Sequence, residues 1–175
     1  ILWRDALARY GINPDEFPSS VEALIRAAIS GPGPRHINTA VDLAHAISLR
    51  YQLPIGAHDI DKLRGDFVVR IGRAGDRFAP LGKLDFEDVP AGEPIYADEN
   101  EVRTRRWVWR LGERGKATTA SENMLFAIDG FRGKSDEQVR QAALQIIAGL
   151  EDGEYFNIMP YSNSVDLFSP HPVVK

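Results

Sequence analysis

The hydrophobic positions of this chain change period twice. Over residues 19–30, Val21, Leu24, Ile25, Ala28 and Ile29 recur at three- and four-residue intervals, and Ser19 and Glu22 stand at the spacing of a capping box. This predicts an amphipathic helix that stops at the "GPGP" of 31–34. From 38 to 51, with Thr39 as the expected cap, nearly every position up to Leu49 is apolar or small, which predicts a mostly buried helix. The period then shortens. "DFVVRIG" (66–72), "EPIYAD" (93–98), "VRTRRWVWR" (102–110) and "NMLFAID" (123–129) are rich in β-branched and aromatic residues, are separated by Gly, Pro and Asp, and read as strands, as does "LPIGA". Helical spacing returns after a second capping-box pair, Ser135 and Gln138, with Val139, Ala142, Ala143, Ile146, Ile147 and Leu150 on one stripe that Gly149 or Gly153 would end.

Helices first, strands in the middle and a helix late predict an α+β fold: a single domain with a mixed β-sheet covered by helices. We place that domain at 1–160, with a helical N-terminal part within 1–36, and read 161–175, with two prolines and no period, as a loosely held C-terminal arm. At 175 residues and 43% hydrophobic, the chain is long enough to bury one core. The absence of cysteine excludes disulfides, thiolate zinc sites and cysteine nucleophiles, and points to a reducing, cytoplasmic setting. No apolar run approaches the ~18 residues of a membrane span and no leader pattern is present, so no membrane partner is expected.

The net charge of −4 argues against a general nucleic-acid coat, DNA included, because such affinity comes from many cations displacing counterions. A nucleic-acid partner would need a local patch. Residues 103–114, "RTRRWVWRLGER", supply one: five arginines and two tryptophans in an otherwise acidic chain. On a strand, Arg103, Arg105, Trp107 and Trp109 would share one face, and Thr104, Arg106, Val108 and Arg110 the other. Either the tryptophans anchor the core while the guanidinium groups pair with acids, or the arginines hold phosphates and a tryptophan offers a face to a base or an aromatic amino acid. Glu113, in the turn "LGERG", has cations on both sides that would keep it ionised, which favours recognition or water positioning over proton abstraction. His45 on the buried helix and His58 after "LPIGA" are either core residues or pocket walls.

Other patterns carry less. "GFRGKS" (130–135) ends like a phosphate-binding loop but has Ile128 where the first glycine belongs, so it reads as a turn and helix cap, with at most an anion contact at Lys134. "HDID" (58–61) groups His58, Asp59 and Asp61 without further ligands at metal spacing, and an aspartate cap on a short turn is the reading preferred to a metal site. No serine elbow or His-Glu-x-x-His pair is present.

The run from "INTAVDLAHAISLRYQLPIGAHDIDKLRGDFVVRIGRAGDRFAPLG" (37–82) through "EPIYADENEV" and "LGERGKATTASENMLFAIDGF" resembles the B3/4 domain of the phenylalanyl-tRNA synthetase beta subunit, with several motifs in the same order. The N-terminal "WRDALARYGI" and "PSSVEALIR" are more similar to free-standing members of that family, and the resemblance covers roughly residues 1–150. It implies the B3/4 fold and an editing activity: hydrolysis of the ester that joins a wrong amino acid to a tRNA end. Counting from Asn123, the family's editing glutamate falls on Glu113; its editing histidine falls on Gly56, and a threonine and asparagine of the helix fall on Ala44 and His45. The expected catalytic set is therefore Glu113, His45 and His58, with Asn38, Gly56, Trp107, Trp109 and Arg114 as substrate-binding residues. Arg103, Arg105, Arg106, Arg110 and Lys116 are the expected RNA contacts. The expected partner is the aminoacylated 3′ end of a tRNA, with the amino acid moiety as ligand and neither metal nor cofactor. The function this implies is a trans-editing aminoacyl-tRNA deacylase; the alternatives are a non-catalytic tRNA- or amino-acid-binding module of the same fold, and a hydrolase of a small ester.

Overall fold

A computed structural model of the chain describes residues 2–149 together with 155–156 and 173–174. The helices are α1 (Leu2–Arg9), α2 (Ser20–Ser30), α3 (Thr39–Tyr51) and α4 (Asp136–Ala148). The strands are β1 (Ile55–Asp59), β2 (Val68–Ile71), β3 (Arg77–Phe78), β4 (Glu87–Asp88), β5 (Pro94–Ala97), β6 (Val102–Arg105), β7 (Arg110–Leu111), β8 (Met124–Ile128), β9 (Tyr155–Phe156) and β10 (Val173–Val174). The class is α+β, as expected. No helix among the described residues is long and apolar enough to cross a membrane. Of the expected arm, only Val173–Val174 is described, paired with β9; the rest of 161–175 lies outside the described residues.

Helix α2 begins as its sequence predicts, with the Ser19 hydroxyl accepting the Glu22 N–H at 3.4 Å. The cap of α3 is Asn38 rather than Thr39. Its backbone is extended, so its side-chain oxygen reaches the Val41 N–H at 2.8 Å while its Nδ2 donates to the Thr118 carbonyl at 2.7 Å. Asn38→Ala removes both, and an urea titration is expected to show a loss of about 1–2 kcal/mol. Helix α3 is also less buried than expected: Val41, Ala44, Ile47 and Ser48 are its sealed residues, while Leu43 and Tyr51, packed against the same core, are only partly buried. At α4, Ser135 takes the cap position, but its hydroxyl accepts the Phe131 N–H at 2.7 Å and the capping box does not close. The Asp136 carboxylate accepts the Gly133 N–H at 2.6 Å, so an amide that could have met an anion beside Lys134 is satisfied within the chain.

Strands β1 and β8 form an antiparallel ribbon with Ile55 opposite Ile128 and His58 opposite Leu125. Paired residues share a face, so Ile55, Ala57, Phe126 and Ile128 look one way, into Ala44, Ile47, Ala142 and Ile146 of the helices. Gly56, His58 and Ala127 look the other way, where the His58 ring meets Phe67 and Tyr96 with ring centroids 4.7 and 6.3 Å distant. The larger sheet runs β2-β5-β6-β3-β4, with β7 paired to β6, and its one parallel contact joins Phe78 of β3 to Val102 of β6. Phe78, Val89, Ile95, Ala97 and Val102 form its core.

The strand expected over 102–110 is broken. It ends at Arg105, and 106–109 turn back into β7, with Arg106 and Trp107 at φ of 49° and 58°. Two consecutive left-handed residues without glycine are costly, roughly 1–2 kcal/mol each, and must be held by their surroundings. The Arg106 N–H donates to Glu93, the Trp107 N–H to the Pro94 carbonyl and the Trp107 indole N–H to Asp129 at 2.8 Å. The N-terminal helices close over this turn: Trp3, Leu7, Ile12 and Val21 pack with Val108, and the Ser20 N–H donates to the Val108 carbonyl at 2.7 Å.

Candidate functional site

The turn at 106–109 reorganises the basic segment. Arg103 and Arg105, 3% and 5% exposed, point into acids rather than toward a ligand. Arg103 is held by Asp98, Glu101 and the Lys62 carbonyl, and Arg105 by both oxygens of Glu93, each at 2.8 Å, and by Glu87 at 2.6 Å. Arg106 lies against Phe17, its guanidinium carbon 3.6 Å from the ring centroid, and near Glu93. Trp107 is packed among Trp3, Tyr10 and Phe131. Arg110 and Trp109 remain at the surface side of the turn, the guanidinium carbon 4.8 Å from the indole centroid. Lys116 pairs with Glu113, and its carbonyl accepts the Lys62 ammonium.

Trp109 and Arg110 border a concavity of about 530 Å³, within the range of a small-ligand site. Its apolar wall is Leu24, Ile55, Leu81, Leu111 and Trp109; its polar groups include His45, Arg26, Arg110, Asp15 and Glu16. Of the expected site residues, the structure therefore gathers the candidate catalytic His45, the candidate substrate contact Trp109 and the candidate RNA contact Arg110 here, while Glu113 is not in the lining. Burial lowers the His45 pKa against the opposing pull of Asp42, so its ring is neutral at pH 7. Its Nδ1 has no hydrogen-bond partner among the described residues.

Glu113 stands on a 3-10 turn, Glu113–Gly115, that ties two segments together. Its N–H donates to the Ala79 carbonyl at 2.8 Å, its Oε2 accepts the Gly82 N–H at 2.8 Å, and its Oε1 meets Lys116. The Gly82 amide and then Lys116 pull its pKa below the ordinary glutamate value, keeping it ionised. Leu81 and Leu111, its neighbours along both tied segments, line the pocket.

His58 is sealed, 1% exposed, with Nδ1 unpartnered among the described residues. Burial, and then the charge of Arg103, lowers its pKa to about 4. It also accounts for the space beside Gly56: a Cβ added there would stand 3.2 Å from His58 Nε2, so the imidazole occupies what a side chain at 56 would fill. Asn38 is committed to capping, and Arg114 belongs to a different concavity. Asp59 does cap a 3-10 turn, Ile60–Lys62, by accepting the Asp61 N–H at 3.1 Å.

One enclosed carboxyl, outside the lining of the concavity, was not foreseen. Asp129 Oδ1 accepts both the Tyr96 hydroxyl at 2.7 Å and the Trp107 indole N–H at 2.8 Å. The residue keeps some accessible surface, but its carboxyl is enclosed, and burial raises its pKa to about 6 despite those two donors. Its sequence context, "AIDGF", reads as a strand end followed by a turn, and only the fold brings Tyr96 and Trp107 to it.

Comparison with known proteins matches residues 2–146 to a family model described as the B3/4 domain. The phenylalanine–tRNA ligase beta subunit of Vibrio parahaemolyticus is 25% identical over 167 residues, covering 81% of this chain and 21% of that protein. The same subunit of Fusobacterium nucleatum is 28% identical over 91 residues, covering 52% of this chain and 11% of that protein. The chain thus spans about a fifth or less of the length of these relatives.

Proposed function

The chain belongs to the B3/4 domain family, and from that membership we propose that it hydrolyses the ester of a mischarged tRNA. In this reading the amino acid side chain enters the concavity between α2, α3 and β7, against Trp109, Leu81 and Leu111. Water adds to the ester carbonyl, the bond to the ribose oxygen breaks, and the products are the free amino acid and the tRNA with its hydroxyl restored. An aminoacyl ester is already activated, so holding a water in line and excluding the cognate amino acid suffices without metal or cofactor. His45, neutral at pH 7, is the group able to orient that water or accept its proton. Glu113 does not line the concavity; its carboxylate, held by the Gly82 N–H and Lys116, ties together the segments that carry Leu81 and Leu111 and so positions that wall.

The observation that carries this reading is the pocket itself: a cavity the size of a small ligand, walled by aliphatic and indole surface, with a neutral imidazole among its lining groups. The test is deacylation of a panel of mischarged tRNAs. At least one is expected to be turned over faster than its spontaneous hydrolysis. Glu113→Ala is expected to lower kcat/KM by about 10–100-fold, the worth of one hydrogen bond to a charged group, with Glu113→Gln closer to wild type because it can still accept the Gly82 N–H.

A specific observation favours the second reading, a binding module without hydrolysis. The family's histidine position is Gly56, and the nearest imidazole, His58, is sealed beside it. Tight, salt-sensitive tRNA binding with no turnover anywhere in the panel would select that reading.

A further inference from the structure

A second concavity, of about 460 Å³, is built from the continuations of the two segments that Glu113 ties together. Leu81 and Leu111 line the pocket, while Arg77, Phe86 and Arg114 line this cleft. Its charged groups fall into two kinds. Buried Arg103 is occupied by Asp98 and Glu101, Lys62 by Asp59 at 2.9 Å and the Lys116 carbonyl, and Asp61 by the Asn123 amide. Three guanidinium groups are left with forks to spare. Arg77 has no hydrogen bond or carboxylate partner among the described residues; Arg114 has one distant contact, to Glu101 at 3.7 Å; Arg64 donates from Nη1 to the neighbouring carbonyls of Asp61 and Leu63.

Phe86 holds two of the three in place. The guanidinium carbons of Arg77 and Arg114 lie 4.5 and 5.0 Å from its ring centroid. Stacking orients a guanidinium through its face and leaves the N–H edge donors unused. This inverts the situation of Arg103 and Arg105, whose forks are consumed by carboxylates. Planar donors oriented but unspent match phosphate oxygens, to which arginine binds in bidentate fashion. In a chain of net charge −4, a cleft with this excess of cations concentrates the positive potential locally.

We propose that this cleft binds the backbone phosphates of the single-stranded tRNA segment leading to the esterified 3′ end, with Arg77, Arg114 and Arg64 as the phosphate contacts. The identity of the strand rests on the deacylase reading; the phosphate chemistry rests on the cleft. The segment tied by Glu113 then stands between the site that reads the amino acid and the site that grips the backbone.

The test is fluorescence anisotropy of a short single-stranded RNA, unacylated, across a potassium chloride series. Arg77→Ala and Arg114→Ala are each expected to weaken binding several-fold at low salt and to lower the slope of log affinity against log salt by about 0.7, one phosphate contact on a single strand. Arg77→Lys restores the slope but only part of the affinity, since an ammonium cannot form the fork. Arg140→Ala, which removes a guanidinium on α4 paired with Glu137, serves as the charge control and is expected to change neither. Wild-type slope and affinity in the Arg77→Ala/Arg114→Ala double variant, or an equal effect of Arg140→Ala, overturns the proposal. Displacement of the RNA by inorganic pyrophosphate at concentrations below the RNA's own Kd makes the cleft a free-polyphosphate site and overturns the RNA assignment. A panel with no ester turnover beside a normal salt response defeats the hydrolase reading and leaves the cleft; turnover with an unchanged slope defeats the cleft alone.

Discussion

Arg103→Ala is expected to lower the unfolding free energy by about 3–5 kcal/mol, the cost of removing one partner from a buried ion pair. The guanidinium neutralises two carboxylates at once, Asp98 and Glu101, both as buried as it is. Burial would raise the Asp98 pKa, but two hydrogen bonds from Arg103, and then the backbone donors of Glu101, Arg64 and Asn100, hold it low; the backbone donors remain in the variant. Among the described residues Glu101 keeps only the distant Arg114, so much of the loss should fall there. At about 2–4 °C per kcal/mol for a chain of this size, the melting temperature should fall by roughly 6–20 °C. Adding Asp98→Asn and Glu101→Gln to the same protein should recover a large part of it, because the uncompensated charges are then gone. A loss below about 1 kcal/mol would mean that the group is effectively solvated, as surface pairs are.

That pairing also explains what the sequence could and could not disclose. The density of arginine at 103–114 is plain, and so are the acids of "EDVPAGEP" and "ADENE" just upstream, but composition does not say which charges meet. Pairing Glu93 with Arg105 requires β5 to lie beside β6, and pairing Glu87 with it requires β3 to bring β4 to the other side of β6. The end of β6 was hidden for a different reason: Arg106 and Trp107 reverse the chain in left-handed conformations, where glycine or asparagine would normally signal a turn. Helices α2, α3 and α4 were legible because their signals are local, a serine or threonine at the expected cap followed by apolar or small positions at helical spacing. Even there, the cap of α3 falls one residue before the expected Thr39, on Asn38, whose amide also reaches the remote Thr118 carbonyl. His45 and Trp109 were reasonable candidates one by one, yet the pocket they share needs α3 and the β6–β7 turn to converge, and nothing in the spacing states that.

The face of the β1–β8 ribbon that meets the larger sheet should carry two opposed pH responses. Asp129 has a folded-state pKa of about 6 against 3.8 ordinarily, so the folded chain holds that proton more tightly. Its contribution to stability is complete below about pH 4 and is lost as pH rises through about 6. His58 is the reverse. With a folded pKa of about 4 against 6.5, it contributes fully above pH 6.5 and loses that contribution as pH falls toward 4. At ~1.4 kcal/mol per pKa unit, each is worth roughly 3 kcal/mol over the same window, so the wild-type protein should show little net dependence from them. Asp59, Asp98 and Glu113, whose pKa values are lowered, act mainly below that window.

Single substitutions should separate the two. In Asp129→Asn, which retains an acceptor for the Tyr96 hydroxyl and the Trp107 indole, stability relative to wild type should rise by roughly 3 kcal/mol between pH 4 and pH 6.5. In His58→Leu the difference from wild type should fall by a similar amount, whatever its absolute value, because only the slope reports the proton. Urea unfolding of the three proteins at half-unit pH steps measures this, and three parallel curves would show that neither group is desolvated as the geometry implies. The consequence reaches the pocket, since Asp129 holds the indole of Trp107, and Trp107 anchors the strained turn that presents Trp109 and Arg110. Below about pH 6 that anchor trades a charged acceptor for a neutral one, so substrate affinity should weaken in wild type across the same titration and stay level in Asp129→Asn.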